Sequence, residues 1–415
     1  MRSGDYGSVK QRLAGMFLLV LTLIIAINVV EYSPRLQRGY QDFTAFYGGG
    51  EMVRSGQATR LYDLKAQYQL QKQFAPDVPI RLSALPYNHP PFEVLIFLPF
   101  TYLSYLPAYL LWTSLNFVML GLSLGLLRAT FAEAGRLSSA FVLLSATAFT
   151  PVVIALMHGQ DSILLLLLIT LSLISLEEGH DIAAGVALGL GLFKFQLALP
   201  LTLILAVKRP RLLLGFAPVA GLLAILSVML MGWRGAASYV PFVLHLEKTG
   251  AAGAISAMGM GNIRGLMYWL SGVHDGSVLA LMLTIACSMA VLAIAMWQVR
   301  KPDVSMRFVF VVATVTTMLI SYHLNPHDLT CLLPVVLLLF AAPVIVSPGA
   351  RPIAAPGAEN RGGMRADVIL LVSIYLLFFG SLLWQWLSPW WCLPVLGWIY
   401  WKFPHGHAAE VGTRA

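Results

Sequence analysis

Asp42, His89, Lys194, Arg264, His323 and His327 are ionisable residues that interrupt or border long apolar runs in this 415-residue chain. They fall in six short polar clusters. These are Gln41-Asp42-Phe43, Tyr87-Asn88-His89-Pro90-Pro91, His158-Gly159-Gln160-Asp161, Lys194-Phe195-Gln196, Gly261-Asn262-Ile263-Arg264, and 322–328 (Tyr-His-Leu-Asn-Pro-His-Asp). Ionisable groups beside membrane-spanning helices are costly unless they face a polar cavity, so chemistry is expected there. Asp42 lies among Tyr40, Phe43, Phe46 and Tyr47. Partial burial among aromatics raises a carboxyl toward neutrality, which suits a general base acting on a hydroxyl. The competing reading is an N-cap on a helix starting near Thr44. Lys194, between two short apolar stretches, either snorkels or meets an anion, with helix ends nearby to offer N–H groups to a phosphate.

Arg264 follows a glycine- and methionine-rich run, 250–261, and its planar fork suits phosphate, solvated surface being the alternative. His323 and His327 stand four apart next to Asp328, which nominally suggests a metal. Pro326 argues against a continuous helix through them and no third ligand is evident, so no metal is assigned. Hydrogen bonding to a phosphate or sugar hydroxyl is expected instead, with helix capping open. Gln160 and Gln196 offer paired donors and acceptors for hydroxyls. Asp161 either joins them or N-caps the following helix. The Pro90-Pro91 pair makes a rigid extended turn that presents His89 inward.

The elements that must position these residues are helices in a bilayer. The chain is 58% hydrophobic and 11% charged, with mean hydropathy +0.77, which marks an all-α polytopic membrane protein. The net charge of +8 sits in short loops between apolar segments and reads as anchoring, with no nucleic-acid partner. Cys287, Cys331 and Cys392 show no metal or redox spacing. The basic amino terminus before an apolar run resembles a signal peptide, but the run is long and lacks a small-x-small site before Glu31, so an uncleaved first helix is expected. No nucleotide-binding motif is present, and no cofactor is expected.

Spanning helices are expected at 13–30, 104–127, 138–157, 161–176, 211–231, 278–299, 307–322, 328–346, 367–387 and 389–401. Between 181 and 207, two short halves meet near Lys194, giving about twelve spanning or half-spanning helices in all. Basic loops at Arg128 and Arg136, 208–211, 300–307 and 351–365 place the amino terminus inside, and all six clusters then fall on the outer side. The expected organisation is a core over 1–346 with outer loops 31–103 and 232–277, an inner linker at 347–366, a helix pair at 367–401 and a tail at 402–415. The first outer loop should carry short helices at 42–53 and 61–74, with 92–100 in the interface or entering partway.

Asp42-Phe43, Gly56 followed by Leu61-Tyr62-Asp63, Pro90-Pro91-Phe92, Gly159-Gln160, Lys194-x-Gln196 and the His/Tyr turn before a late helix together resemble glycosyltransferase family 87. These are enzymes of the GT-C superfamily that use polyprenyl-phosphate mannose. The resemblance implies a GT-C-type helical bundle, a polyprenyl-phosphate sugar donor, and a lipid or glycan acceptor. It also implies a site facing the periplasm or exterior of the inner membrane, and inversion at the anomeric carbon. Asp42 would be the base, with Lys194, Arg264 and His323 or His327 neutralising the leaving phosphate. His89, Gln160, Asp161, Gln196 and Asn262 would face sugar or acceptor. The chain departs from the pattern at Asp161, where relatives tend to have Asn, and at Asn88-His89, where a Tyr is usual. The rival reading is a transporter or flippase of a lipid-linked saccharide.

Overall fold

The structure, a computed structural model, describes residues 3–36, 42–75, 84–132, 138–249, 257–272, 277–302, 304–341, 373–380 and 390. The expected linker, the tail and most of the 367–401 pair lie outside the described residues. Every regular element among the described residues is helical. The chain runs through α1 (Ser3–Leu36), α2 (Phe43–Arg54), α3 (Leu64–Phe74), α4 (Val94–Phe97), α5 (Tyr105–Ala132), α6 (Ser139–Thr147), α7 (Thr150–His158) and α8 (Ser162–Glu177). It continues through α9 (Asp181–Leu190), α10 (Phe195–Lys208), α11 (Leu212–Ala237), α12 (Tyr239–Thr249), α13 (Ile263–Ser271), α14 (Val278–Val299), α15 (Met306–Ile320) and α16 (Leu333–Ala341).

By length and hydropathy, the stretches Ala14–Glu31, Tyr105–Thr130, Leu212–Ala237 and Val278–Val299 can each cross a bilayer. Their outward faces carry large apolar side chains, among them Ile27, Phe117, Met229 and Met282, all more than half exposed. Such a surface would aggregate in water but is matched to lipid. The segment between the first two apolar spans holds α2 and α3, and 92–100 becomes α4 flanked by single 3-10 turns, Pro91–Glu93 and Leu98–Tyr102.

Two expected helices are broken. The span at 138–157 is two helices, α6 and α7, bent by 64°. Pro151 in the first turn of α7 has no N–H to give and crowds the preceding turn, so the helix restarts there. The span at 328–346 begins as a 3-10 segment, Pro326–Leu332, and becomes α-helical only at α16.

The stretch Asp181–Lys208 is long enough to be one span, but it doubles back. As a straight helix its 28 residues would reach about 42 Å, yet Arg209 lies 3.9 Å from Asp181. Helix α9, about 15 Å long, therefore rises to a 3-10 turn, Gly191–Lys194, and α10 returns. Lys194 sits at the apex.

Two glycines weld this hairpin to α11. A Cβ on Gly185 would collide with the Leu212 carbonyl oxygen, and one on Gly215 with that of Ile182, so α9 and α11 touch backbone to backbone. We expect Gly185→Leu to force them apart and lower the melting temperature in detergent by several degrees. Gly121→Leu, on a face with nothing near it, should leave it unchanged, and equal melting of the two variants would refute the packing argument.

The charged ends of several helices gather at one place. Arg307 donates to Glu177 at 2.7 Å, and Lys208 donates to the carbonyls of Lys301 and Pro302. The other ends of α8 and α15 carry Asp161 and Tyr322, so the polar clusters lie opposite this basic end.

Candidate active site

Asp42 occupies the N-cap position of α2 but does not cap it: its backbone is already helical and its side chain makes no capping bond. Its Oδ2 instead accepts from Gln160 Nε2 at 2.6 Å and lies 3.1 Å from His158 Nδ1. Oδ1 takes part in neither contact, and the side chain keeps 29% exposure. The carboxylate is thus gripped by one oxygen, and the other accepts no hydrogen bond among the described residues.

The turn supplying its partners is built for that. Gly159 ends α7 at φ 62°, the left-handed region, and a Cβ there would lie 2.9 Å from that of Phe43. Trp112 Nε1 donates to the Gly159 carbonyl, Asn116 to that of Gln160, and Tyr109 to that of Met157. Phe43, Phe97, Tyr105 and Tyr109 form the aromatic wall beside it.

This geometry corrects the expectation that Asp42 is raised toward neutrality. Burial does push the carboxyl up, but the charges of His158 and His327 and the bonds from His158 and Gln160 outweigh it. The group is held below the usual carboxylate range.

Lys194 is 2% exposed, so it does not snorkel. Its Nζ lies 2.7 Å from Asp328 Oδ1 and 2.9 Å from Asp161 Oδ1. The open anion position expected at the apex is therefore filled by two buried carboxylates. Asp161 begins α8 without capping it. Asp328 also accepts from Ser162 Oγ and the Asn325 N–H, and its capping box with Asn325 explains why 326–332 starts as it does. The buried His327 has Nε2 3.6 Å from Asp328 Oδ1.

His89 is held from several sides. Gln67 and Gln71, one turn apart on α3, bond the backbone of Tyr87 and Leu85. Tyr62 donates to the His89 carbonyl and Tyr239 to that of Asn88. The ring reaches Glu93 Oε2 at 2.7 Å and Asp161 Oδ2 at 3.9 Å. Burial, with the charge of Lys194, outweighs Asp161, Asp328 and Asp42 and lowers the imidazole to about 4, so it is neutral. Glu93, in the loop between the first two spans, is pushed well up by burial and the facing Asp161.

Arg264 is buried, not solvated. Its Nη1 donates to the Tyr322 carbonyl at 3.0 Å, and its guanidinium lies 4.0 Å from the Tyr322 ring centre. Asn262 spends both ends of its amide: the oxygen caps α13 at Gly265 and the nitrogen bonds the Ser321 carbonyl at 2.6 Å. That leaves it a structural tie where a sugar contact was expected. Half-buried His323 accepts from Ser321 Oγ through its carbonyl. Gln196, half-buried on α10, joins none of these bonds among the described residues.

All six clusters thus connect: Asp42 to His158 and Gln160, Asp161 to Lys194 and His89, Lys194 to Asp328, and Asn262 and Arg264 to 321–322. Sequence reasoning gave no role to His158 and did not name Glu93. A glutamate inside the apolar 92–100 run, four residues after His89, was the available signal.

A model of glycosyltransferase family 87 matches residues 87–321, more than half of the chain. No curated protein and no solved structure matches it significantly. The matched stretch contains His89, His158, Gln160, Asp161, Lys194, Asn262 and Arg264. Asp42, His323, His327 and Asp328 lie outside it, and the fold brings Asp42 and Asp328 to its residues. On this match, and with the long apolar helices and lipid-facing surfaces of a membrane protein, the chain belongs to glycosyltransferase family 87 and is a membrane glycosyltransferase.

Proposed function

We propose that this protein moves a hexose, with mannose the sugar the family resemblance favours, from a polyprenyl-phosphate sugar to a hydroxyl of a lipid or glycan acceptor. The reaction inverts the anomeric carbon and takes place on the extracytoplasmic side of the inner membrane. The observation that carries the reading is Asp42, anchored through Oδ2 by His158 and Gln160 with Oδ1 left outside those bonds. In the proposed step the acceptor oxygen attacks the anomeric carbon, the bond to the phosphate oxygen breaks, and the polyprenyl phosphate leaves with the electron pair. The acceptor proton passes to Asp42 Oδ1. A weakly basic carboxylate suffices, because a hydroxyl becomes strongly acidic once its oxygen bonds to carbon.

Arg264 and His323 would neutralise the leaving phosphate and His327 would donate a hydrogen bond to it, while Lys194, held by Asp161 and Asp328, would position those carboxylates. His89, Gln160, Asp161 and Gln196 remain the candidates for sugar and acceptor. Arg307 at the far end of α15, with Lys208 ending α10 and Arg300 following α14, supports the outward placement. The test is transfer of radiolabel by the purified protein from polyprenyl-phosphate mannose, compared with nucleotide sugars, onto membrane lipid extract. Transfer only from the lipid-linked donor is expected. Transfer from nucleotide sugars alone, or from no polyprenyl-phosphate sugar, would sink the reading.

A further inference from the structure

We propose that His89, Glu93 and Asp161 form a divalent-cation site that takes Zn²⁺ or Mn²⁺. One ligand atom from each residue can be chosen so that all lie within 4.8 Å of one another. A four-coordinate shell with bonds of about 2.1 Å spaces its ligands roughly 3.4 Å apart, a spacing bracketed by the 2.7 and 3.9 Å separating His89 Nδ1 from Glu93 Oε2 and Asp161 Oδ2. The donor set, one imidazole and two carboxylates, is one that first-row divalent ions accept.

A second observation points to the same ligand. Both oxygens of Glu93 are buried and neither receives a well-aligned hydrogen bond, although His89 Nδ1 lies at 2.7 Å and the Tyr87 hydroxyl and the Asp161 carboxyl are also its polar neighbours. A close approach without hydrogen-bond alignment is what lone pairs converging on a shared cation produce. Charge argues likewise. Glu93, Asp161 and Asp328 are all fully buried, and Lys194 pairs with the last two only. Burial and the facing Asp161 push the Glu93 carboxyl up, and a divalent ion beside it would compensate the charge it gains on giving up that proton.

The surroundings fix the ligands as a metal site requires. Lys194 takes Asp161 Oδ1 and leaves Oδ2 toward His89. Tyr62 holds the His89 backbone, and the Phe46 ring packs 4.8 Å from the imidazole. His89 and Glu93 bracket the rigid Pro90-Pro91 turn, so the ion would pin that turn to the start of α8. Asp42 and its two partners lie outside this ligand set, and the sequence reading had assigned no metal.

The test needs no substrate, so it stands or falls apart from the transferase reading. Full-length protein in detergent is stripped with chelator, then titrated with Zn²⁺ and with Mn²⁺ by calorimetry. Bound metal is counted by elemental analysis after gel filtration. One saturable equivalent is expected, with a rise of several degrees in melting temperature. Glu93→Gln and His89→Ala should each weaken binding at least tenfold, while His180→Ala, at an exposed histidine, should not. Should Glu93→Gln fail to fold, His89→Ala alone decides. No saturable binding in wild type, or binding unchanged in His89→Ala, overturns the proposal. In the first case a proton on Glu93 is what balances the cluster.

Discussion

Replacing Asp42 by asparagine is expected to lower turnover from a polyprenyl-phosphate sugar about 10²–10⁴-fold, the share a positioned base contributes, with only a small change in the apparent affinity for either substrate. Asparagine keeps the shape and can still accept from Gln160, so the grip of His158 and Gln160 on the loop is mostly preserved while the proton acceptor is lost. Initial rates with labelled donor and saturating lipid acceptor measure this, and undiminished turnover would remove Asp42 from the chemistry. The same variant carries a pH signature. Asp42 is lowered in the fold despite burial, because of His158, His327 and Gln160. Its ionised form therefore adds stability that is fully present above the unfolded carboxylate value of about 3.9, and that stability is lost as pH falls through the lower folded value. Thermal melts from pH 7 to pH 3 should show wild type losing more stability than Asp42→Asn at the acid end. Parallel curves would mean that the carboxylate is not paired.

Lys194→Met is expected to cost about 3–5 kcal/mol of stability, because it leaves Asp161 and Asp328 buried side by side without their counter-charge. In practice that appears as low yield in detergent or a large drop in melting temperature. Adding Asp328→Asn should recover much of the loss, since the two changes share one interaction and cannot be additive. The phosphate reading of Lys194 makes the opposite forecast. A lysine reserved for donor phosphate would, when replaced, weaken donor binding and leave melting nearly unchanged. Melting of the single and double variants, beside donor affinity, separates the two. A melting temperature within a degree or two of wild type for Lys194→Met would overturn the ion-pair account.

Membrane insertion, the short helices between the first two spans and the apex at Lys194 were legible because hydropathy and helix length are local quantities, read from about twenty consecutive residues. The breaks were less so: Pro151 was in plain view, yet a proline in an apolar run only signals that a helix can bend. Asp42, Gln160 and Lys194 were singled out by type, since an ionisable residue in a greasy chain must be accounted for wherever it lies.

What each of them does was decided by partners far away in the chain. Asp42 meets His158 across 116 residues, and Lys194 meets Asp328 across 134. No local pattern says that an apex lysine is claimed by two carboxylates, that Asn262 spends its amide on Ser321 and Gly265, or that Glu93 faces Asp161. The sequence by itself determined a helical membrane chain with costly polar groups at one end of its helices. Tertiary packing alone decided which charges pair, and so which way Asp42 shifts, because the cost of a buried charge is set by its neighbours in space and not by those in sequence.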